Sequence, residues 1–129
     1  MSEITIKNQC FGLEDEMTGI TREEAAKALA ELFGTQARYT GGWYGKWTVK
    51  DPEGKTWTLM SDSSITTERK VNGKYEYASN SSYEVEMVTP KLTFEEIPKL
   101  QEAIRALRHA GAKVNDSCGP HIHIDAANH

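Results

Sequence analysis

Apolar and polar residues alternate along Phe11-Gly12-Leu13-Glu14-Asp15-Glu16-Met17, the two-residue period of a strand with one buried face. Ile4-Thr5-Ile6 reads as extended chain leading into it. The period then changes. Thr21-Arg22-Glu23-Glu24 is a capping box, with Thr21 as N-cap and Glu24 three positions on. It predicts a helix whose apolar stripe is Ala25, Ala28, Leu29, Leu32 and Phe33, ended by Gly34. Period two returns over Trp43–Thr48 and Lys55–Met60, on either side of the turn-forming Asp51-Pro52-Glu53-Gly54, which predicts a hairpin. Trp47, Val49, Trp57 and Leu59 fall on its buried face.

From Ser61 to Ser82 the chain is polar, and Asn72-Gly73 marks a second tight turn in a loop or edge hairpin. Tyr83–Thr89 regains strand character until Pro90 stops it. Thr93-Phe94-Glu95-Glu96 is a second capping box. The helix it opens carries Ile97, Leu100, Ile104 and Leu107 and ends at Gly111. A last strand covers His121–Asp125. The order β-α-β-β-(β)-β-α-β predicts an α+β fold, a mainly antiparallel sheet with two helices packed on one face. With 129 residues and no linker or repeat, a single domain over 1–129 is expected.

Composition narrows the function classes. A net charge of −4 and scattered lysines (Lys46, Lys50, Lys55, Lys70) argue against nucleic acid as a partner. No apolar run is long enough to span a bilayer, and Met1-Ser2-Glu3 does not open a signal peptide, so a cytoplasmic protein without membrane partners is expected. Cys10 and Cys118 are expected as reduced thiols, Cys118 as a small packed residue. Gly34, Gly41 and Gly42 form neither a P-loop nor a dinucleotide fingerprint. The three tryptophans are expected in the core or on the sheet, with Trp43, beside Gly41-Gly42, able to rim a pocket.

The chemistry gathers in the strands. In His121-Ile122-His123-Ile124-Asp125, two imidazoles and a carboxylate project to one side and the two isoleucines pack on the other. Half of the four histidines lie here, and imidazole with carboxylate suits a metal or acid–base chemistry. Glu14 and Glu16 share a face, with Asp15 opposite; Glu84 and Glu86 repeat the pattern, and Asp62 follows a strand end. Carboxylates set side by side repel unless a cation lies between them. Solvated acids on an exposed face are nonetheless the commoner meaning of that spacing. Together the acids fit Mg²⁺ or Mn²⁺, while His121, His123 and Asp125 alone would fit Zn²⁺.

Four segments in order carry a family resemblance. Phe11-Gly12-Leu13-Glu14-Asp15-Glu16 resembles F-G-x-E-x-E, and Trp57–Ile65 resembles W-x-x-x-x-D-x-S-[LI]. Glu86-Met87-Val88-Thr89-Pro90 resembles E-[LV]-V-[ST]-P, and Gly111–Asp125 resembles G-A-x-[VT]-N-x-[ST]-C-G-x-H-[VI]-H-[VI]-D. These are motifs of the N-terminal half of the amidoligase family, within the carboxylate–amine ligase superfamily of glutamine synthetase and glutamate–cysteine ligase. Asp15 and Pro120 depart from the residues more usual at their positions.

The resemblance implies a glutamine synthetase-like half-fold and an ATP- and Mg²⁺-dependent (or Mn²⁺-dependent) ligase. Glu14, Glu16, Glu86, His121 and His123 would be its metal ligands, with Glu16 and Glu86 the catalytic carboxylates. Asp62, Ser64 and His123 would lie against the nucleotide. Substrates would be small-molecule or peptide carboxylates and amines. Family members continue past the His-x-His strand with further acidic and basic site residues. The chain is therefore expected to be a fragment, or a short relative completed by homo-oligomerisation. Two other functions are open at this point: a non-catalytic metal- or protein-binding module, and a zinc-dependent hydrolase built on His121, His123 and Asp125.

Overall fold

The computed structural model describes residues 9–126, with the backbone alone at 125 and 126. Ile4-Thr5-Ile6 and the side chain of Asp125 lie outside the described residues. The elements are β1 (Gln9–Met17), α1 (Arg22–Phe33), β2 (Ala37–Gly41), β3 (Lys46–Lys50), β4 (Thr56–Met60), β5 (Glu68–Val71), β6 (Lys74–Tyr77), β7 (Val85–Val88), β8 (Leu92–Thr93), α2 (Ile97–His109) and β9 (Pro120–Ala126). The fold is α+β, as the periodicities predict.

Seven strands form one antiparallel sheet, and β5–β6 make a separate hairpin turned by Asn72-Gly73. Strand β1 is its organising element. β9 pairs with it from Gln9 to Asp15, so β7 at Glu14–Met17 and β8 at Cys10–Phe11 share its opposite edge. β4, β3 and β2 extend the sheet beyond β7. Phe11, Met17, Val49, Trp57, Leu59, Val85 and Met87 project to one side and bury against α1 and α2. Trp57 is fully buried, its ring 5.2 Å from that of Phe33. Among the described residues, no helix packs on the other face of the sheet.

Thr21 caps α1 with both hydrogen bonds of the capping box, and Gly34 ends it in the left-handed conformation at φ 71°. The buried stripe is shifted from the expected one. Ala25, Ala26, Leu29, Ala30 and Phe33 are buried, whereas Leu32 is exposed and Ala28 only partly covered. Alanines at 26 and 30 let α1 sit close to the sheet, so its contact face turns away from Leu32. The second capping box opens a short 3₁₀ turn, Phe94–Glu96, that runs directly into α2.

Several expectations change. β2 and β8 are additional strands. β3 begins at Lys46 because Gly42–Gly45 form the turn from β2. Trp43 is on that turn and 100% exposed, so it is no core residue. Ser81–Tyr83 form a 3₁₀ turn, which shortens the expected Tyr83–Thr89 strand to Val85–Val88. Ile122 and Ile124 are not packed: they are 64% and 67% exposed, because β9 is an edge strand beyond the reach of either helix. Cys10 and Cys118 are free thiols, and among the described residues no helix is long and apolar enough to cross a membrane.

A carboxylate-rich face as candidate active site

The open face of the sheet is assembled by strand register. Glu16 on β1 stands opposite Glu86 on β7, and Glu86 stands opposite Met60 on β4. Partners in an antiparallel pair point to the same side, so Glu16 and Glu86 are held next to one another. Asp62 lies two residues beyond Met60 and brings its carboxylate to the same place. One oxygen from each of Glu16, Asp62 and Glu86 lies within 4.8 Å of the others.

On the other edge of β1, Glu14 stands opposite His121, and His123 stands opposite Gly12. His123 Nε2 reaches Glu14 Oε2 at 2.7 Å. Glu14 is in turn hydrogen-bonded to Glu86, and the charge of His121 acts on Glu16, Asp62 and Glu86 alike. The structure thus joins Glu14, Glu16, Asp62, Glu86, His121 and His123 into one site. Ser64 has a different part: its backbone N–H and hydroxyl both donate to Asp62 Oδ1, at 3.0 and 2.8 Å, which fixes the carboxylate at the strand exit.

Electrostatics register the crowding. Glu16 shares a hydrogen bond with Asp62, is buried, and faces the charges of Asp62 and Glu86; its carboxyl is pushed up to about 7. That bond, with those from Ser64, holds Asp62 below the usual carboxylate range. Glu86 is raised by burial and by the charges of Glu14 and Asp62.

A second acidic group gives the contrast that interprets the first. Asp51, Glu53 and Glu96 also converge, but Lys99 Nζ sits among them, 3.3 Å from Asp51 and 3.0 Å from Glu96 and bonded to Glu53. Lys55 adds a bond of 2.7 Å to Glu96. Those acids have their cations from the protein. Among the described residues, no lysine or arginine forms an ion pair with Glu16, Asp62 or Glu86. An oxygen-rich, cation-deficient set of this kind has the chemistry of a hard divalent-ion site.

Among the described residues, neither histidine belongs to a convergent group of three metal-ligating side chains, and His123 is bonded to Glu14. The third member of the zinc reading, Asp125, has its side chain outside the described residues. Glu84, which repeats the pattern in sequence, departs from the cluster. It lies beside Arg22 at the end of the 3₁₀ turn, raised by burial and only tempered by that guanidinium.

Two features of the site have almost no signature in the sequence. Arg22 donates to the carbonyls of Gly45 (3.1 Å), Ser81 (2.7 Å) and Glu84 (2.8 Å), tying α1 to the chain entering β3 and to the chain leading to β7. Trp43 and Tyr44 flank a groove of about 690 Å³ that runs to Asp62 and Glu86. The Gly41-Gly42 pair beside Trp43 is the one local hint of that groove.

Among known proteins, no curated protein and no solved structure matches the chain. The family model described as "Putative amidoligase enzyme" matches residues 7–129, nearly the whole chain, including every member of the site. The chain belongs to that family.

Proposed function

We propose that this chain supplies the metal–nucleotide face of an ATP- and Mg²⁺-dependent carboxylate–amine ligase. The observation that carries the reading is the convergence of Glu16, Asp62 and Glu86, with no lysine or arginine paired to them among the described residues, on the open face of the sheet of an amidoligase-family chain. Glu14, Glu16, Glu86, His121 and His123 would hold Mg²⁺ or Mn²⁺, with Asp62 oriented by Ser64 at the rim. Bound there, the metal would neutralise the triphosphate and the charge that develops on the transferred phosphoryl group.

The reaction this supports has two steps. The substrate carboxylate takes the γ-phosphoryl group of ATP, releasing ADP. An amine then attacks the acyl carbon, phosphate leaves, and an amide or peptide bond remains. The role of the chain's own residues is to hold charge. Glu16 must give up the proton it shares with Asp62 before a cation can enter, and His123 orients Glu14. A carboxylate cluster cannot bind bare triphosphate, so nucleotide binding should depend entirely on the divalent ion.

Calorimetry on the intact chain tests this. Mg²⁺-dependent ATP binding that disappears in Glu16→Gln and Glu86→Gln supports the ligase. Binding of Zn²⁺ with no nucleotide binding would favour the hydrolase, and binding of neither would leave a protein-binding module. ADP release with paired carboxylate and amine candidates tests turnover.

A further inference from the structure

The turn between β2 and β3 holds a fully exposed tryptophan. Trp57 is fully buried, and Trp47 lies against Tyr39 with ring centroids 5.2 Å apart, but Trp43 is 100% exposed and its neighbour Tyr44 is 53% exposed. A large aromatic surface left in water forgoes the stabilisation that burial would give it, so its placement calls for another cause.

The turn is not loose. Ser61 N–H donates to the Tyr44 carbonyl at 3.0 Å, and Gly45 N–H donates to Gly42 O at 3.2 Å. Arg22 grips the Gly45 carbonyl from below. Gly45 has φ 53°, a region that favours glycine, and a Cβ there would stand 2.8 Å from Arg22 Nη2 and push on the guanidinium that holds the turn. Gly41 and Gly42 are also left-handed, at φ 74° and 78°. The backbone is thus pinned at its base while the aromatic tip projects.

The groove beside this tip is continuous with the carboxylate cluster. Trp43 and Tyr44 form one wall, and Met60 to Ser63 with Glu86 line the rest. Lys46 Nζ lies 6.0 Å from the Tyr44 ring centroid, a positive charge beside that wall. An occupant matching both ends must present anionic oxygens to a metal-loaded acid cluster and a flat ring to Trp43. A polyphosphate alone leaves the tryptophan bare, and an aliphatic acid or amine has no ring to offer.

We infer that Trp43 is the stacking platform for the nucleobase of the metal-bound nucleotide, a positioning residue that selects nucleotide over simple polyphosphate. This rests on the metal–nucleotide reading above. Stacking on an aromatic side chain is tolerant of ring identity and adds affinity on the order of tenfold per base.

The experiment compares Mg²⁺–ATP with Mg²⁺–tripolyphosphate on the intact chain by calorimetry and tryptophan fluorescence. The wild type should bind the nucleotide about tenfold more tightly. Trp43→Ala should remove that difference and leave tripolyphosphate affinity unchanged, while Trp43→Phe restores most of it. ATP, but not tripolyphosphate, should quench the emission that is lost in Trp43→Phe. Equal affinities in the wild type, or a Trp43→Ala variant weakened alike for both ligands, would overturn the stacking role and leave the metal site standing. Failure of both Mg²⁺–ATP and Mg²⁺–tripolyphosphate to bind would overturn the metal–nucleotide reading and this inference with it. Trp43 is fully exposed, so its substitution leaves the core intact, which circular dichroism verifies.

Discussion

Glu16 and Asp62 hold one proton between them: their hydrogen bond lifts the Glu16 carboxyl to about 7 and depresses that of Asp62. The linkage has a definite sign. Glu16 has a folded value above its ordinary 4.5, so its contribution to stability is fully present below 4.5 and is lost as pH rises through about 7. Asp62 acts in the opposite sense and only in acid, its contribution being lost as pH falls through its depressed value. In EDTA the melting temperature should therefore decline between mildly acid and slightly alkaline pH. Glu16→Gln should flatten that decline, and Mg²⁺ should reverse it by taking the place of the proton. An unchanged slope in Glu16→Gln would refute the shared proton.

The bond between Glu14 and His123 predicts a separation of stability from binding. His123 is exposed and Glu14 half-buried, and an ion pair so open to solvent contributes under about 1 kcal/mol. β9 is held to β1 by a ladder running from Gln9–Ala126 to Asp15–Pro120, independent of the imidazole. His123→Ala should thus shift a urea unfolding midpoint very little and leave amide protection in β9 intact. Its Mg²⁺ affinity should nevertheless drop several-fold, because Glu14 loses the partner that orients it. A stability loss as large as the binding loss would assign the pair to structure.

How far the sequence discloses this protein depends on the range of the interaction. Period-two alternation and two capping boxes locate β1, β4, α1 and α2, because those signals lie within a few residues of one another. β2 escapes: Ala37-Arg38-Tyr39-Thr40-Gly41 is an edge strand with three exposed central residues, so it has no apolar alternation to read. β8 is two residues long and follows Pro90-Lys91. The alternation at Ile122 and Ile124 is real, yet nothing among the described residues covers it, since periodicity reports a face and not its partner. In the site, Glu14, Glu16, Glu86, His121 and His123 are legible as alternating pairs, but their joining depends on the Glu16–Glu86 and Glu14–His121 registers. Arg22 is invisible inside a capping box, because the carbonyls it serves lie far along the chain.

Asp15 offers a stabilising substitution. It points away from Glu14 and Glu16, into a cavity of about 70 Å³ formed with Met17, Ile104 and Leu107. Burial raises its carboxyl, and Arg108 only partly offsets this. Its contribution to stability is thus present below the ordinary value of 3.8 and lost as pH rises. Asp15→Leu should fill the cavity and raise stability by about 1 kcal/mol at neutral pH, with less gain in acid. Urea denaturation at the two pH values measures it, and destabilisation at neutral pH would show that the carboxylate has a binding partner that outweighs its burial.

Asp51 should be the costliest residue to lose outside the aromatic core. Only 2% exposed, it accepts hydrogen bonds from Trp57 Nε1 (3.0 Å) and from the backbone N–H groups of Glu53 (3.0 Å) and Lys55 (2.9 Å). Lys99 of α2 approaches at 3.3 Å. Burial alone would raise its carboxyl, but the bonds from Trp57, Lys55 and Lys99 and the lysine charge hold it below the usual range. The stability it contributes is therefore present above 3.8 and lost as pH falls through the depressed value. Asp51→Ala would strand the Trp57 N–H in the core and release α2 from the β3–β4 turn, at a cost of roughly 3 kcal/mol. Asp51→Asn keeps the shape and one acceptor and should lose about half of that. Lys99→Met tests the remaining contact: with the amine gone, Asp51 and Glu53 lose their lysine and Glu96 keeps only Lys55, so its destabilisation should shrink as pH falls and the acids protonate. A pH-independent loss in Lys99→Met would mean that the lysine acts through packing of its stem and not through its charge.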